Sequence, residues 1–383
     1  MSENNEIKEP LNKNNKVPKL RFPEFDENWE ENILSSYTSI ISGGTPDTTN
    51  QKYWNGEINW FTPTEIGIEK YVSESQRKIT SLGLSKSSAK LIKANSILLT
   101  SRATIGAISI NKKDCATNQG FQSLIPNGIN LNYLYYLIST RKFQNKLFIH
   151  SSKSTFLEIS HKEISKLKIN VPINKREQEK IGLFFDLIDN KIQIIKSKID
   201  ILKKYKKGTQ KNIFDSSKTK EYLVLKNIVK FENKSKISAN SSIENGNYIL
   251  YKSGQKNGMS NDYSHEGIYI IANDGGMAQF KLTSGKFAYT DHCICFRCQN
   301  DEETIVLCNY LQSLEKKITY VGFTGTGLKN IDRQYLGMIR IPKVDNKKIA
   351  KSFILIDEAI RNYENILEKL TIIKKLLLKQ MFI

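Results

Sequence analysis

The sequence predicts an α+β protein with two mixed, β-rich globular domains separated by two long helices. We expect the helices to pack as an antiparallel coiled coil and to give the chain a pseudo-twofold internal repeat. Two similar segments with helical periodicity lie far apart in the sequence, and a β-rich stretch precedes each of them. The length of 383 residues is typical of two or three domains, and 39% hydrophobic residues suffice for packed cores.

The two periodic segments begin near Ile169 and Ile339, and each starts with a strand-like run that ends in proline. After a two-residue gap they align at a constant offset of 168 residues, which places Phe185 on Phe353. Apolar residues recur at steps of three and four, the spacing of one helix face. Helices of roughly 40 residues would be about 60 Å long. We therefore expect each helix to bury its apolar face against the other, through Phe185, Ile188, Ile192, Ile199, Leu202, Phe353, Ile356, Ile360, Leu367 and Leu370.

The stretches before the helices show the same order of patterns. Each has a strand that leads to a glycine-containing turn, a second strand with a polar pair, a Leu- and Tyr-rich helix, and a polar turn before the proline-terminated strand. This order predicts related domains. The predicted division is a tail (1–25), a first domain (26–172), a first helix (173–215), a second domain (216–342) and a second helix (343–383).

The charge balance is strongly basic, with a formal net charge of +19 and an isoelectric point near 9.4. Such a balance favours an anionic partner, above all nucleic acid. Every folded segment shares the excess, which suits an extended polyanion better than a local phosphate pocket. A plainer alternative is that the positive charge reflects genome composition, because proteins of AT-rich genomes are rich in Lys and Asn and are therefore often basic.

Several sequence features favour a cytoplasmic protein without a membrane segment. No apolar run reaches the ~18 residues of a membrane span, and the first residues show no signal-peptide pattern. Five cysteines are few for this length, and their odd number disfavours a disulfide scaffold.

A series of short motifs follows a fixed order along nearly the whole chain. They are Pro18–Pro23 with Trp29, Ser42–Pro46, Tyr53-Trp54, Ile58–Trp60, Thr104–Gly106, Ala116–Phe121 and the two proline-then-helix repeats. In this order the chain resembles a specificity subunit of a type I restriction–modification system. The resemblance implies that residues 26–172 and 216–342 are target-recognition domains, each reading one half of a bipartite, asymmetric site in double-stranded DNA.

The same resemblance implies roles for the helices and the partners. The helices would fix the spacing between the half-sites and dock two methyltransferase subunits, through which restriction and translocase subunits associate. The specificity subunit itself would perform no chemistry and would need no cofactor or metal.

Side chains that read DNA are Arg, Lys, Asn and Gln, with Ser and Thr on phosphates. We expect several such residues in the polar turns of each domain to contact DNA, although a solvated surface role is the alternative for each one. The candidates are Thr45, Arg102, Asn118, Gln119 and Lys153 in the first domain, and Lys252, Gln255, Lys256, Asn273, Lys281, Lys286 and Lys329 in the second. Lys203, Lys204, Lys206 and Lys207 fit a solvated helix face instead.

Other chemistry has weaker support. The loop Phe323–Gly327 matches the Phe-x-Gly-x-Gly loop of adenosylmethionine-dependent methyltransferases, but no Asn-Pro or Asp-Pro pair accompanies it. The spacing of His292, Cys293, Cys295 and Cys298 invites a zinc site, yet no second Cys-x-x-Cys pair occurs, so buried thiols are favoured. A stand-alone DNA methyltransferase and an inactive or orphan specificity subunit remain the alternative functions.

Overall fold

The computed structural model describes residues 17–102, 104–152, 157–215, 221–254, 256–327 and 329–383. These residues form two compact units. Unit 1 is the chain up to Gln193 together with Glu368–Ile383, and unit 2 is Ile194–Leu367. Lys153 and Gln255, two of the predicted DNA contacts, lie outside the described residues. The predicted fold class is confirmed, whereas the five-segment division stays a prediction because the units divide the chain within the long helices.

Unit 1 contains ten strands and four shorter helices in its described part. Its strands are β1 (Glu30–Ile33), β2 (Thr38–Ser42), β3 (Trp54–Phe61), β4 (Tyr71–Val72), β5 (Arg77–Ile79), β6 (Ile97–Leu99), β7 (Ile108–Asn111), β8 (Cys115–Thr117), β9 (Gln122–Pro126) and β10 (Lys168–Val171). Its helices are α1 (Ser81–Ser85), α2 (Leu131–Ser139), α3 (Arg141–Ile149) and α4 (His161–Ser165).

The strands of unit 1 form three sheets, ordered β2-β9-β6-β7-β4, β5-β3-β8 and β1-β10. Strand β8 runs parallel to β3 in one sheet, and the chain then enters β9 in another. The turn between β8 and β9 therefore lies where the two sheets meet. The predicted proline-terminated strand is β10, which pairs antiparallel with β1.

The first long helix is α5 (Lys175–Ile213), which begins in unit 1. Unit 2 also combines short strands with shorter helices. The strands of unit 2 are β11 (Tyr222–Val224), β12 (Lys230–Phe231), β13 (Tyr248–Tyr251), β14 (Gly258–Ser260), β15 (His265–Glu266), β16 (Ile270–Asn273), β17 (Phe280–Leu282), β18 (Lys286–Tyr289), β19 (Cys293–Arg297), β20 (Phe323–Thr324), β21 (Asn330–Ile331) and β22 (Arg340–Pro342). The shorter helices are α6 (Leu225–Ile228), α7 (Asp301–Ser313), α8 (Glu315–Gly322) and α9 (Arg333–Gly337), and the second long helix is α10 (Asn346–Met381).

Strand order shows that the two units are topologically equivalent. The sheet β12-β19-β16-β17 repeats the order β2-β9-β6-β7, and β14-β13-β18 repeats β5-β3-β8. The equivalence extends to direction, since β13 runs parallel to β18 as β3 runs parallel to β8. The predicted relation between the two globular stretches is therefore confirmed.

The long helices pack against each other within each unit. In unit 1 the Nζ atom of Lys374 lies 2.5 Å from Oδ1 of Asp189, and in unit 2 Lys206 lies 2.7 Å from Asp357. Within unit 2, Lys203 also pairs with Glu364, so residue numbers rise along one helix as they fall along the other and the packing there is antiparallel. Helices α5 and α10 contain 39 and 36 residues, close to the expected length. No helix in the described part of the chain is both long and apolar enough to cross a membrane.

The ten residues predicted to lie between the helices differ in how deeply they are buried. Phe185 and Phe353 are fully buried, and Ile199, Ile356 and Ile360 are nearly so. The remaining five, Ile188, Ile192, Leu202, Leu367 and Leu370, are half-buried. Tyr205 and Ile373 continue the same spacing but are exposed, because a helix of 3.6 residues per turn drifts away from a steady three-and-four spacing.

Candidate nucleic-acid interface

Two polar turns of unit 1 meet where its sheets adjoin. The loop after β2 passes the turn between β8 and β9 so closely that the Gly44 N–H donates to the carbonyl of Thr117 at 2.8 Å. A Cβ atom at Gly43 would lie only 1.9 Å from the carbonyl oxygen of Asn118. The first glycine of the Ser-Gly-Gly-Thr-Pro motif is therefore required because the two backbones approach so closely.

These turns bring together most of the candidates predicted for the first domain. The Thr45 hydroxyl donates to Oε1 of the exposed Gln119 at 2.5 Å. Oδ1 of Asn118 accepts from the Gly120 N–H at 2.9 Å and so shapes the turn that presents Gln119. Gln119 keeps its amide N–H groups unpaired among the described residues, which leaves donors for an acceptor on a base edge.

Arg102 borders the same turns. A Cβ atom at Gly120 would lie 3.9 Å from the Cβ of Arg102. The Nε atom of Arg102 lies 2.7 Å from Oε1 of Glu158, and both side chains are partly exposed. The sequence analysis did not predict Glu158, because no spacing rule pairs residues 102 and 158. Glu158 fixes where Arg102 points, so it belongs to this surface as a positioning residue.

In unit 2 a different set of polar turns converges, and a lysine holds the loop that follows β13. Nζ of Lys281 donates to the carbonyls of Lys252 and Gly254, at 2.8 and 2.6 Å, and to Oδ1 of Asn257 at 2.9 Å. All three ammonium protons are therefore used to hold residues 252–257. Burial lowers the pKa of Lys281. Lys281 thus supports the loop that carries the exposed Lys256.

The other candidates of unit 2 lie in different surroundings. Asn273 is 5% exposed, and its amide nitrogen bonds within its own turn, to the carbonyl of Met277 and Oε1 of Gln279. Lys329 is exposed, and its carbonyl accepts from the Gly276 N–H at 2.9 Å, which joins two of the turns. Lys286 begins β18, about 10 Å along that strand from Tyr289, and lies 4.7 Å above the ring of Tyr263.

Two further motifs have structural explanations. Residues Phe323–Gly327 begin a hairpin in which β20 pairs with β21, and Gly325 has a φ of +130°, a conformation that favours glycine. All five cysteines are buried free thiols, as expected. Burial raises the pKa of Cys298 and of Cys308 to about 12, so neither is a ready thiolate. No group of metal-ligating side chains occurs among the described residues.

The two topologically equivalent units, each joined to antiparallel long helices, define a class of duplicated proteins that expose polar turns. A family model described as "Type I restriction modification DNA specificity domain" matches residues 26–204 and 217–371. These residues make up most of the chain, so the chain belongs to this family.

Named relatives support the same assignment. The chain is 34% identical over 191 residues to the type I restriction enzyme MjaIX specificity subunit of Methanocaldococcus jannaschii, covering 49% of this chain and 44% of that protein. It is 30% identical over 176 residues to the EcoR124I/EcoR124II specificity subunit of Escherichia coli, covering 44% and 43%. The matched region thus spans less than half the length of these curated relatives.

A solved structure shares the fold. The type I restriction–modification system S subunit from M. genitalium superimposes with a TM-score of 0.69 at 18% identity, covering 96% of this chain and 99% of that one. At this identity the likeness concerns the fold alone.

Proposed function

We propose that this chain is the DNA sequence-specificity subunit of a type I restriction–modification complex. The observation that carries the proposal is the family match over two topologically equivalent units. Proteins built from repeated DNA-reading units recognise repeated half-sites, and the spacing of their units sets the half-site spacing. Because the turns of the two units carry different side chains, we infer a bipartite site with unlike halves.

The recognition surfaces are the converging turns of each unit. In unit 1, Thr45, Asn118, Gln119 and Arg102 come together around Gly43 and Gly120. In unit 2, Lys252, Lys256 and Lys329 lie on or beside turns that hydrogen bonds connect, while Asn273 and Lys281 support those turns from within. Arg and Gln suit base edges, whereas the lysines suit phosphates and guanine.

The helices are proposed to dock two methyltransferase subunits and, through them, restriction and translocase subunits. Support comes from apolar side chains that the helix pairing leaves exposed. Leu187 and Leu355 are 58% and 57% exposed and stand 168 residues apart, so the repeat presents the same side chain twice. Equivalent apolar patches suit two copies of one partner.

The chain is proposed to act without catalysis of its own. Its relatives are named as specificity subunits, and its cysteines are buried with raised pKa values. Base modification would then belong to the methyltransferase subunits.

The decisive experiment is to co-express the chain with the methyltransferase subunit of its own genome and to map modified bases in the host DNA. We expect a split motif with a modified base in each half. A stable complex without methylation would indicate an inactive or orphan subunit, and methylation by the purified chain alone would indicate a stand-alone methyltransferase. Failure to form any complex would contradict the proposed docking role of the helices.

A further inference from the structure

Arg77 lies on an aromatic support in unit 1. Its Cζ atom is 3.6 Å from the ring centroid of Trp54 and 5.4 Å from that of Trp60. The two indoles meet edge to face, with ring centroids 5.1 Å apart, and both are buried. A guanidinium stacked on an aromatic face keeps the N–H groups at its edge available for hydrogen bonds.

The same two tryptophans hold the loop that carries Thr45. Nε1 of Trp60 donates to the carbonyl of Gly44 at 2.9 Å, and Nε1 of Trp54 donates to the carbonyl of Asp47 at 3.0 Å. Arg77 and the candidate DNA-facing loop therefore share one rigid scaffold.

Arg77 is exposed and has no carboxylate partner among the residues that the structure describes. Its neighbours on the sheet show where it lies. Trp60 pairs with Arg77 on one side and with Ala116 on the other, so the three residues form one row across β5, β3 and β8. Neighbouring strands are about 4.8 Å apart, which places the Cα of Arg77 roughly 10 Å from that of Ala116. Ala116 stands two residues before Asn118, the start of the candidate turn.

From this geometry we propose that Arg77 is a pre-oriented phosphate contact that anchors unit 1 on the DNA backbone beside the half-site it reads. The inference rests on the proposed function and adds a residue that carries affinity and not sequence preference. Each strand of a duplex carries a phosphate about every 3.4 Å of helix axis, so a cation held beside a base-contacting turn is well placed to reach the backbone. The planar guanidinium can donate two parallel N–H bonds to a phosphate in a fixed geometry, whereas a lysine ammonium acts as a point charge.

The test uses the full chain in complex with its methyltransferase subunit. Binding is measured at several salt concentrations, both to a duplex carrying the mapped split site and to a scrambled duplex of equal length. We expect Arg77→Gln to weaken binding to both duplexes about tenfold and to reduce the slope of log affinity against log salt by about one. Arg77→Lys should keep the slope and lose part of the affinity. The methylated motif should stay unchanged in both variants.

Lys93→Gln is the matched control. Lys93 is an exposed cation of the same unit, but it pairs with Asp114 at 2.9 Å, at the end of β8 away from Asn118. We expect the Lys93→Gln variant to bind both duplexes with the same affinity and the same salt slope as the chain without substitutions. Tryptophan fluorescence during thermal unfolding reports whether unit 1 stays folded in each variant, and Arg77→Lys serves if Arg77→Gln does not fold.

Unchanged slope and affinity in Arg77→Gln would overturn the inference and leave the proposed function intact. A loss confined to the split site, or an altered first half-site, would show that Arg77 reads a base and would likewise overturn the phosphate assignment. If the complex without substitutions bound neither duplex, the proposed function would be wrong, and the inference about Arg77 would be wrong with it.

Discussion

Unit 1 and unit 2 share a strand order but organise their exposed turns by different means. In unit 1 two tryptophan N–H groups and closely packed glycines hold the turns. In unit 2 the ammonium group of Lys281 holds a different loop, the one after β13, through three hydrogen bonds. The scaffold is thus repeated while the surface chemistry is not, as the proposed recognition of two unlike half-sites requires.

The helices show the opposite behaviour, because their contacts repeat reciprocally. Adding 168 to Asp189 gives Asp357, and adding 168 to Lys206 gives Lys374. Unit 1 pairs Asp189 with Lys374 and unit 2 pairs Asp357 with Lys206, so each helix supplies the acid once and the base once. The aromatic contacts follow the same rule, since Phe185 packs on Phe382 and Phe214 on Phe353.

The largest effect that would test this comparison is truncation of the buried phenylalanines. Phe185→Ala and Phe353→Ala should each lower the free energy of unfolding of their own unit by about 3–5 kcal/mol, because both side chains are fully buried. All three tryptophans, Trp29, Trp54 and Trp60, lie in unit 1. In urea unfolding, tryptophan fluorescence should therefore report the first substitution strongly, whereas far-UV circular dichroism reports both.

The exposed Leu187→Ala and Leu355→Ala serve as controls and should each change the free energy of unfolding by less than about 0.5 kcal/mol. Equal shifts of the fluorescence transition in both phenylalanine variants would contradict the separate contributions of the two units.

A smaller effect is expected from the reciprocal ion pairs. Asp189→Asn removes the counter-charge of Lys374, and Asp357→Asn removes that of Lys206. Each should cost about 1–3 kcal/mol, because these pairs are about a quarter exposed and carry further hydrogen bonds. A double-mutant cycle for each pair measures the coupling. Similar coupling energies would support the equivalence of the two pairs, and a coupling near zero in one of them would refute it.

The recognition turns offer a test in which only one half-site should respond. Gln119→Ala in unit 1 should relax base preference in one half of the methylated motif, with a loss of about 1–3 kcal/mol of discrimination at one position. Methylome mapping of the co-expressed complex measures it, and Lys256→Ala is the companion variant for unit 2. The idea that each unit reads its own half fails if Gln119→Ala alters both halves of the motif.

The smallest effect concerns how α3 in unit 1 and α8 in unit 2 are attached to the rest of their units. In unit 1 the neutral Gln144 donates to the carbonyls of Gly106 and Ile138, whereas in unit 2 Oε1 of Glu315 accepts from the Phe280 N–H. Burial raises the pKa of Glu315 above its usual 4.5. An acid with a raised folded-state pKa loses stabilising free energy as pH rises from the unfolded pKa through the folded one.

Glu315→Gln keeps the acceptor and removes the charge. It should therefore raise the free energy of unfolding of unit 2 by about 0.5 kcal/mol at pH 7 and flatten its dependence on pH just above 4.5. Urea unfolding at pH 4.5, 5.5 and 7, followed by circular dichroism, measures the change. A decrease at pH 7 would show that the carboxylate is stabilised by interactions stronger than its burial.

The sequence predicted the helices and the duplicated scaffold because these depend on local periodicity and on patterns that occur twice. The fates of individual turn residues depend on contacts across large sequence distances. Nothing near Lys281 indicates that its ammonium group reaches back to Lys252, and nothing near Asn273 indicates its burial. The support of Arg77 by Trp54 and Trp60 also follows only from strand pairing, although the density of tryptophan in residues 54–60 was a usable signal.

The reciprocal helix pairs also have a consequence for gene exchange between relatives. Unit 1 combines residues from two distant parts of the chain, since it pairs Asp189 with Lys374, whereas unit 2 is one continuous stretch. A crossover near codon 193 would transfer an entire set of recognition turns from one gene to another. Of the two reciprocal pairs, only Asp189 and Lys374 would then come from different parents, so the hybrid would keep this contact only if both parents carry the same charges at positions 189 and 374. New DNA specificities could then arise by shuffling within a lineage that preserves this charge pattern, without any change in the turns themselves.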